Sequence, residues 1–132
     1  MRYLPFFLLC VSLCVDAAPL NLELVSKSPL LLDDVPLYEW VYLARDSVNS
    51  ENGITKFFEI RRYDSSQSMD GVEYKVEMVL ETMACTRKEK QVVAIQRFSD
   101  PAATQKVGYL KQGFPVSKFM GLDRMESVIC GE

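Results

Sequence analysis

A run of alternating apolar and charged residues, placed directly after a turn signal, most constrains the fold of this chain. The turn signal spans Gln67–Gly71, and the run extends from Val72 to Glu81. Glycine takes a positive φ at no steric cost, and side chains in a strand alternate between its two faces. The pattern therefore predicts a hairpin turn followed by a long strand, with apolar side chains on one face and glutamates in solvent on the other.

The rest of the chain predicts one helix and further strands. Asp33 and Asp34 precede Pro36, and an acidic cap before a first-turn proline is typical of a helix start. Apolar residues then recur at helical spacing, so we expect a helix over Pro36–Asn49 with Trp40 in its buried stripe. The strands are expected over these ranges: Leu22–Val25, Ile54–Tyr63, Val72–Thr86, Lys106–Gln112 and Leu122–Cys130.

These elements favour an α+β fold. The long strand has a single apolar face and the helix has a single apolar stripe, so each can bury its apolar side only against the other. We therefore expect one long helix packed across a twisted antiparallel sheet of about four to five strands.

The first 17 residues are typical of a secretory signal peptide. Arg2 supplies a positive start, Tyr3–Val15 an apolar core, and Val15–Ala17 a cleavage pattern that ends in a small residue. We expect a signal peptide over residues 1–17 and one domain over residues 18–132, secreted to the extracellular space. The apolar core is too short to span a bilayer, so no membrane partner is expected.

Cleavage of the signal peptide would remove Cys10 and Cys14 and leave Cys85 and Cys130 in the mature chain. In an oxidising compartment these two residues form either one disulfide or two free thiols. A bridge would stabilise the domain by roughly 3–4 kcal/mol in the chain-entropy model. We expect a monomer, with a domain-swapped or thiol-linked dimer as the alternatives.

Composition argues against catalysis. The chain has no histidine, which excludes Ser/His/Asp and Cys/His nucleophilic mechanisms and removes the commonest metal ligand. Glu73, Glu77 and Glu81 recur at the spacing of one strand face, so we interpret them as a solvated surface. We expect no enzyme activity, metal or cofactor. The formal net charge of −3 also disfavours a nucleic acid partner.

The order and spacing of the motifs resemble the secreted cystatins. The first hairpin of that family carries Gln-x-Val-x-Gly, which is matched here by Gln67, Ser68, Met69, Asp70 and Gly71. Four later positions match further family residues. Cys85 and Cys130 stand where cystatins have the first and the last of their four cysteines. Phe119 stands in place of the tryptophan of the family's Pro-Trp pair, and Gly121 in place of the glycine after the second hairpin.

The resemblance implies a reversible inhibitor of papain-like cysteine proteases such as the cathepsins. In cystatins the N-terminal arm and two hairpin loops form a wedge that fills the active-site cleft of the protease. The protease-binding residues implied here are Leu24 and Val25 in the arm, Gln67–Gly71 in the first loop, and Phe119 in the second loop.

Departures from the cystatin pattern leave an alternative open. The arm lacks the family's glycine, Lys118 and Phe119 replace Pro-Trp, and Asp70 places a carboxylate in the first loop. A non-inhibitory secreted binding protein of the same fold is therefore the alternative function. A host-defence pro-region similar to cathelin domains is less favoured, because the sequence shows no cationic peptide after Cys130.

Overall fold

The computed structural model describes residues 21–30, 36–110, 113–121 and 123–131, and most of them lie in one antiparallel sheet. The described residues form seven strands and one helix: β1 (Leu22–Pro29), β2 (Tyr38–Glu51), β3 (Ile54–Met69), β4 (Val72–Ala84), β5 (Glu89–Phe98), β6 (Lys106–Leu110), β7 (Ser117–Lys118) and α1 (Arg124–Cys130). The first six strands pair in chain order, and β7 also pairs with β5. The sheet is therefore an up-and-down meander.

The sheet has two ends, which the turns define. The β3–β4 turn at Asp70 and Gly71 and the β5–β6 connection lie at one end, which we term the hairpin end. The β2–β3 turn and the β4–β5 turn lie at the opposite end, where Cys85 is joined to the end of α1; we term it the disulfide end. Since β4 runs the whole length between them, residues at the two ends are far apart.

The predicted α+β fold, with one long helix across a four- to five-stranded sheet, is wrong. Residues of the expected helix Pro36–Asn49 lie mostly in the strand β2, which pairs with β1 on one side and β3 on the other. Tyr38, Trp40 and Tyr42 lie at alternate positions, and aromatic and β-branched side chains favour extended chain. The apolar residues of β2 lie on both faces of the strand, and their spacing in the sequence therefore also fits the period of a helix. Trp40 is half-buried in a strand.

The predicted strand Leu122–Cys130 is also wrong, because residues Arg124–Cys130 form α1; Leu122 itself lies outside the described residues. Asp123 caps the helix by accepting a hydrogen bond from the backbone N–H of Met125 at 2.9 Å. Gly131, at φ 77°, ends it in the left-handed conformation. Capping residues at both ends and helical apolar spacing explain why a helix forms here.

The other predicted strands are confirmed, with shifted bounds. β1 and β3 cover the ranges expected for them, β4 ends at Ala84 and not at Thr86, and β6 covers the described part of Lys106–Gln112. The largest core cluster lies on the face of the sheet that α1 covers, which we term the helix-covered face. Its buried members come from four strands and the helix: Val25, Leu43, Phe57, Met83 and Met125.

Cys85 and Cys130 form a disulfide, with their Cα atoms 5.7 Å apart, so the bridge is confirmed over two free thiols. It joins the end of β4 to the end of α1 and fixes the helix against the sheet. Cys10, Cys14 and the predicted signal peptide lie outside the described residues. Within the described part of the chain, no helix has the length and apolar character needed to cross a bilayer.

Candidate functional site

The tip of the β3–β4 hairpin is a two-residue turn with apolar side chains on both sides. Met69 and Val72 are register partners, and Asp70 and Gly71 between them have φ values of 55° and 78°. Two consecutive residues at positive φ are typical of a type I′ turn, whose twist matches that of the strands. Met69 is 46% exposed and Val72 is 40% exposed. The tip therefore presents two apolar side chains to solvent on a tight hairpin.

Gly71 is required by the backbone conformation and not by crowding. A Cβ atom built at this position would meet no other atom within 4 Å. Its positive φ is nevertheless a conformation that other residues adopt only with strain. The backbone of the tip is therefore open to close approach by another molecule.

Gln67 stabilises the irregular part of β3 that leads to the turn. The register of β3 against β4 is irregular between Arg62 and Gln67. The Gln67 side-chain amide donates a hydrogen bond to the backbone carbonyl of Ser65 at 3.2 Å, inside this irregular stretch. Gln67 therefore stabilises the base of the tip. The exposed residues of the predicted first loop are Ser68, Met69, Asp70 and Gly71.

The predicted arm is part of the sheet. Leu24 pairs with Tyr42 in the edge strand β1, and its side chain is half exposed. Val25 occupies an irregular position of the same strand and is buried in the core beside Leu43. Of the two arm residues, only Leu24 is therefore accessible to a partner.

Phe119 lies near the disulfide end. Its backbone N–H donates to the carbonyl of Lys88 at 2.9 Å, and its half-buried ring packs against the core cluster that contains Met83. Met83 and Val72 are both in β4, eleven positions apart, which corresponds to about 35 Å at roughly 3.3 Å per residue. The structure therefore brings Gln67–Gly71 together at one end of the sheet, and does not bring Leu24, Val25 or Phe119 to it.

A cluster of charged side chains lies on the helix-covered face, where solvent-exposed glutamates were predicted. Glu77 and Glu81 are 6% and 5% exposed, so that prediction is wrong for both. Glu77 accepts hydrogen bonds from Arg97 Nε at 2.9 Å and from the Tyr63 hydroxyl at 2.6 Å. The signal that could have revealed this cluster is the cross-strand pairing of opposite charges, which needs the strand register to be known.

Burial dominates the electrostatics of this cluster. One carboxylate oxygen of Glu81, Oε2, has no hydrogen-bond partner in the described residues. Desolvation, reinforced by the nearby charge of Glu59, raises the pKa of Glu81 to about 7. Burial also raises the pKa of Glu59, although that side chain is paired with Arg61. Because solvent hardly reaches these carboxyl groups, we assign the cluster to the stability of the fold and not to a reaction.

No protein-family model, curated protein or solved structure matches this chain. The resemblance to cystatins therefore rests on the motif residues alone. Among the described residues, no group of three or more histidine, cysteine, aspartate or glutamate side chains is arranged to hold a metal ion. The predictions of no cofactor and no enzyme activity stay predictions.

Proposed function

We propose that this protein is a secreted binding protein, without enzyme activity, that contacts a partner protein through the tip of the β3–β4 hairpin. The observation that carries the proposal is the pair of exposed apolar side chains, Met69 and Val72, that flank the turn at Asp70 and Gly71. A tip held by a tight turn loses little conformational freedom on binding. Such a tip is suited to enter an apolar depression on another protein.

The small size of the tip sets the expected affinity. Full burial of two apolar side chains contributes about 1.5–3 kcal/mol each, before the cost of association is subtracted. A total of about 3–6 kcal/mol corresponds to a dissociation constant of roughly 40 μM to 6 mM even before that cost, so binding through the tip alone is expected to be weak.

Two features support the extracellular location that this function requires. The Cys85–Cys130 disulfide is compatible with an oxidising compartment and is unusual for a protein of the reducing cytosol. The start of the sequence, with Arg2 followed by the apolar stretch Tyr3–Val15, has the pattern of a secretory signal.

Inhibition of papain-like cysteine proteases is the second candidate function. It is favoured by the coincidence of the exposed tip with the cystatin-like residues Gln67–Gly71. We rank it second because Leu24 and Phe119 lie far from the tip, so the hairpin would have to enter the protease cleft without the other two elements of a cystatin wedge.

Site-specific photo-cross-linking tests the primary proposal. A photoreactive residue in place of Met69 is expected to cross-link a partner protein in extracellular fluid from the source tissue. The same residue in place of Met120, which is 75% exposed near the disulfide end, is the matched control. A cross-link from position 69 that is absent from position 120 supports the proposal, whereas equal yields from both positions, or none from position 69, contradict it.

A titration against papain or a cathepsin distinguishes the second candidate. The M69D/V72D double variant places charges at the tip and serves as the comparison for the wild-type protein. Inhibition by the wild type, titrated up to millimolar concentration because the tip alone binds weakly, that is lost in the double variant would favour a protease inhibitor. If neither protein inhibits, this candidate is rejected and the non-inhibitory binding function is retained.

A further inference from the structure

The sheet face opposite α1, which we term the open face, is rich in apolar side chains. Strand register places Tyr42, Ile60 and Met78 in one row across three neighbouring strands on this face. The next row contains Phe58 and Leu80. At the hairpin end Ala103 packs against part of the open face, but α1 packs on the other side of the sheet. On this face Phe58, Met78 and Leu80 are therefore only half buried, whereas Ile60 is buried.

A groove of about 150 Å³ lies on the open face. Its lining is mainly apolar, with an amide and a phenol at one side: Phe58, Met78, Leu80, Ala94, Gln96 and Tyr109. An apolar protein cavity of about this volume is known to accept an apolar guest the size of benzene. The groove therefore has room for a segment of an alkyl chain, and not for a helix or a strand of another protein.

The open face carries basic side chains that lack ion-pair partners. Lys106 Nζ lies 4.9 Å from the ring centroid of Tyr109, which lines the groove. Lys56 precedes the groove residue Phe58 by two positions on the same strand face. Within the described residues, no carboxylate oxygen lies within 4.0 Å of a charged nitrogen in any of four basic residues of this face: Lys27, Lys56, Arg62 and Lys106. These basic side chains would attract a ligand that carries an anionic group.

We propose that this groove binds the alkyl chain of a monomeric fatty acid, with the carboxylate beside Lys106. The apolar lining removes methylene groups from water, and the ammonium group at the Tyr109 side offers a charge-assisted hydrogen bond to the carboxylate. The ligand class follows from this juxtaposition of a narrow apolar groove and an unpaired cation. This site is independent of the hairpin tip.

Calorimetric titration with dodecanoate, below its critical micelle concentration, tests the proposal. Dodecyltrimethylammonium has the same alkyl chain with a cationic head and is the matched control ligand. We expect saturable one-site binding of dodecanoate that is at least tenfold tighter than that of the cation. Equal affinities, or no saturable binding of dodecanoate, would overturn the proposal. So would binding to anionic phospholipid vesicles without binding of monomeric dodecanoate.

Charge reversal at Lys106 tests the position of the carboxylate. Lys106→Glu is expected to weaken dodecanoate binding at least fivefold, because the exposed ammonium group is replaced by a carboxylate, which repels the carboxylate of the ligand. Lys118→Glu, an exposed change on β7, is the control and is expected to leave the affinity within twofold. An equal effect of the two changes would contradict the assignment.

A change in the groove tests the position of the alkyl chain. Leu80→Asn places an amide in the lining and is expected to weaken dodecanoate binding at least tenfold. Circular dichroism shows whether this variant is folded. If it is unfolded, the comparison of Lys106→Glu with Lys118→Glu still decides whether the carboxylate lies beside Lys106. Unchanged dodecanoate binding by folded Leu80→Asn would contradict the site.

Discussion

Glu81 shows at the scale of one residue how burial couples the fold to pH. Its pKa is raised from 4.5 to about 7, first of all by desolvation and then by the charge of Glu59, while the charges of Arg61 and Lys90 act in the opposite direction and that of Asp123 adds to the rise. The folded protein therefore holds this proton up to about pH 7, whereas the unfolded chain releases it near pH 4.5. The stabilisation is fully present below pH 4.5 and is lost as the pH rises through 7.

Replacing Glu81 with glutamine is expected to remove much of this pH dependence. Glutamine stays neutral, so the free energy of unfolding should rise at pH 8 by on the order of 2 kcal/mol and change little at pH 4. Urea denaturation across this pH range measures the effect. Glu73→Gln, at an exposed position of the same strand, is the control and should leave the pH profile unchanged. The same slope in wild type and Glu81→Gln would contradict the assignment.

Gly71 illustrates a residue whose role depends on backbone conformation alone. At φ 78° an alanine is strained, so Gly71→Ala is expected to lower the free energy of unfolding by about 1 kcal/mol. Gly108→Ala is the matched control, because that glycine has no positive φ and a Cβ there would make an ordinary 3.9 Å contact with Arg97. Urea denaturation of both variants compares them, and equal losses would show that turn conformation is not the cause.

At the scale of elements, α1 depends on contacts with the sheet. It has only seven residues, too few to be stable in isolation. Lys90 on β5 reaches it through hydrogen bonds to Asp123 at 2.9 Å and to Glu126 at 2.8 Å. Glu126 is buried, so its charge needs this partner.

Replacing Lys90 with methionine tests this attachment. We expect the free energy of unfolding to fall by about 3 kcal/mol, because the carboxylate of Glu126 would be left buried without its cation. Lys118→Met removes an exposed partner of Glu89 and should lower the free energy of unfolding far less, because solvent screens this pair. Denaturant unfolding measures both changes, and amide hydrogen exchange should show faster exchange in α1 of Lys90→Met. Similar losses in the two variants would argue against the contact.

The prediction of elements succeeded where local pattern and pairing agree. The turn at Asp70 and Gly71 and the strand β4 were predicted from residues close in sequence, and both are present. β2 was mistaken for a helix because its apolar residues fit two periods, and the neighbouring strands decide between them. α1 was mistaken for a strand although Asp123 and Gly131 were available as capping signals.

At the scale of the whole molecule, the disulfide holds α1 and the end of β4 together. The two cysteines are 45 positions apart, and closing a loop of this length restricts the unfolded chain considerably. The bridge and the Lys90 contacts act on the same helix, so their effects should not be strictly additive.

Replacing both cysteines, as C85S/C130S, is expected to lower the free energy of unfolding by about 4 kcal/mol in the chain-entropy model. Urea denaturation with and without a reductant measures the change. Reduction should destabilise the wild type by a similar amount and leave the double variant unchanged, which makes the variant its own control. A wild-type midpoint that does not respond to complete reduction would contradict a stabilising bridge.

The candidate site was predicted only in part. Sequence placed Gln67–Gly71 in a hairpin turn, and the structure adds that Met69 and Val72 are its exposed apolar residues. Spacing along the chain could not show whether Leu24 and Phe119 lie beside the hairpin tip, because that depends on how the strands are arranged in the sheet. The groove on the open face was not predicted, since its six residues come from four different strands.

The sequence by itself determined the local features: the tight turn at Asp70 and Gly71, the extended chain of β4 and the availability of two cysteines for a bridge. Each depends on conformational preference or composition over a few residues. The tertiary structure alone decided that β2 is a strand, that Glu77 and Glu81 are buried, and that the predicted wedge residues lie apart. These outcomes depend on hydrogen bonds and packing between residues distant in sequence, which local preference does not specify.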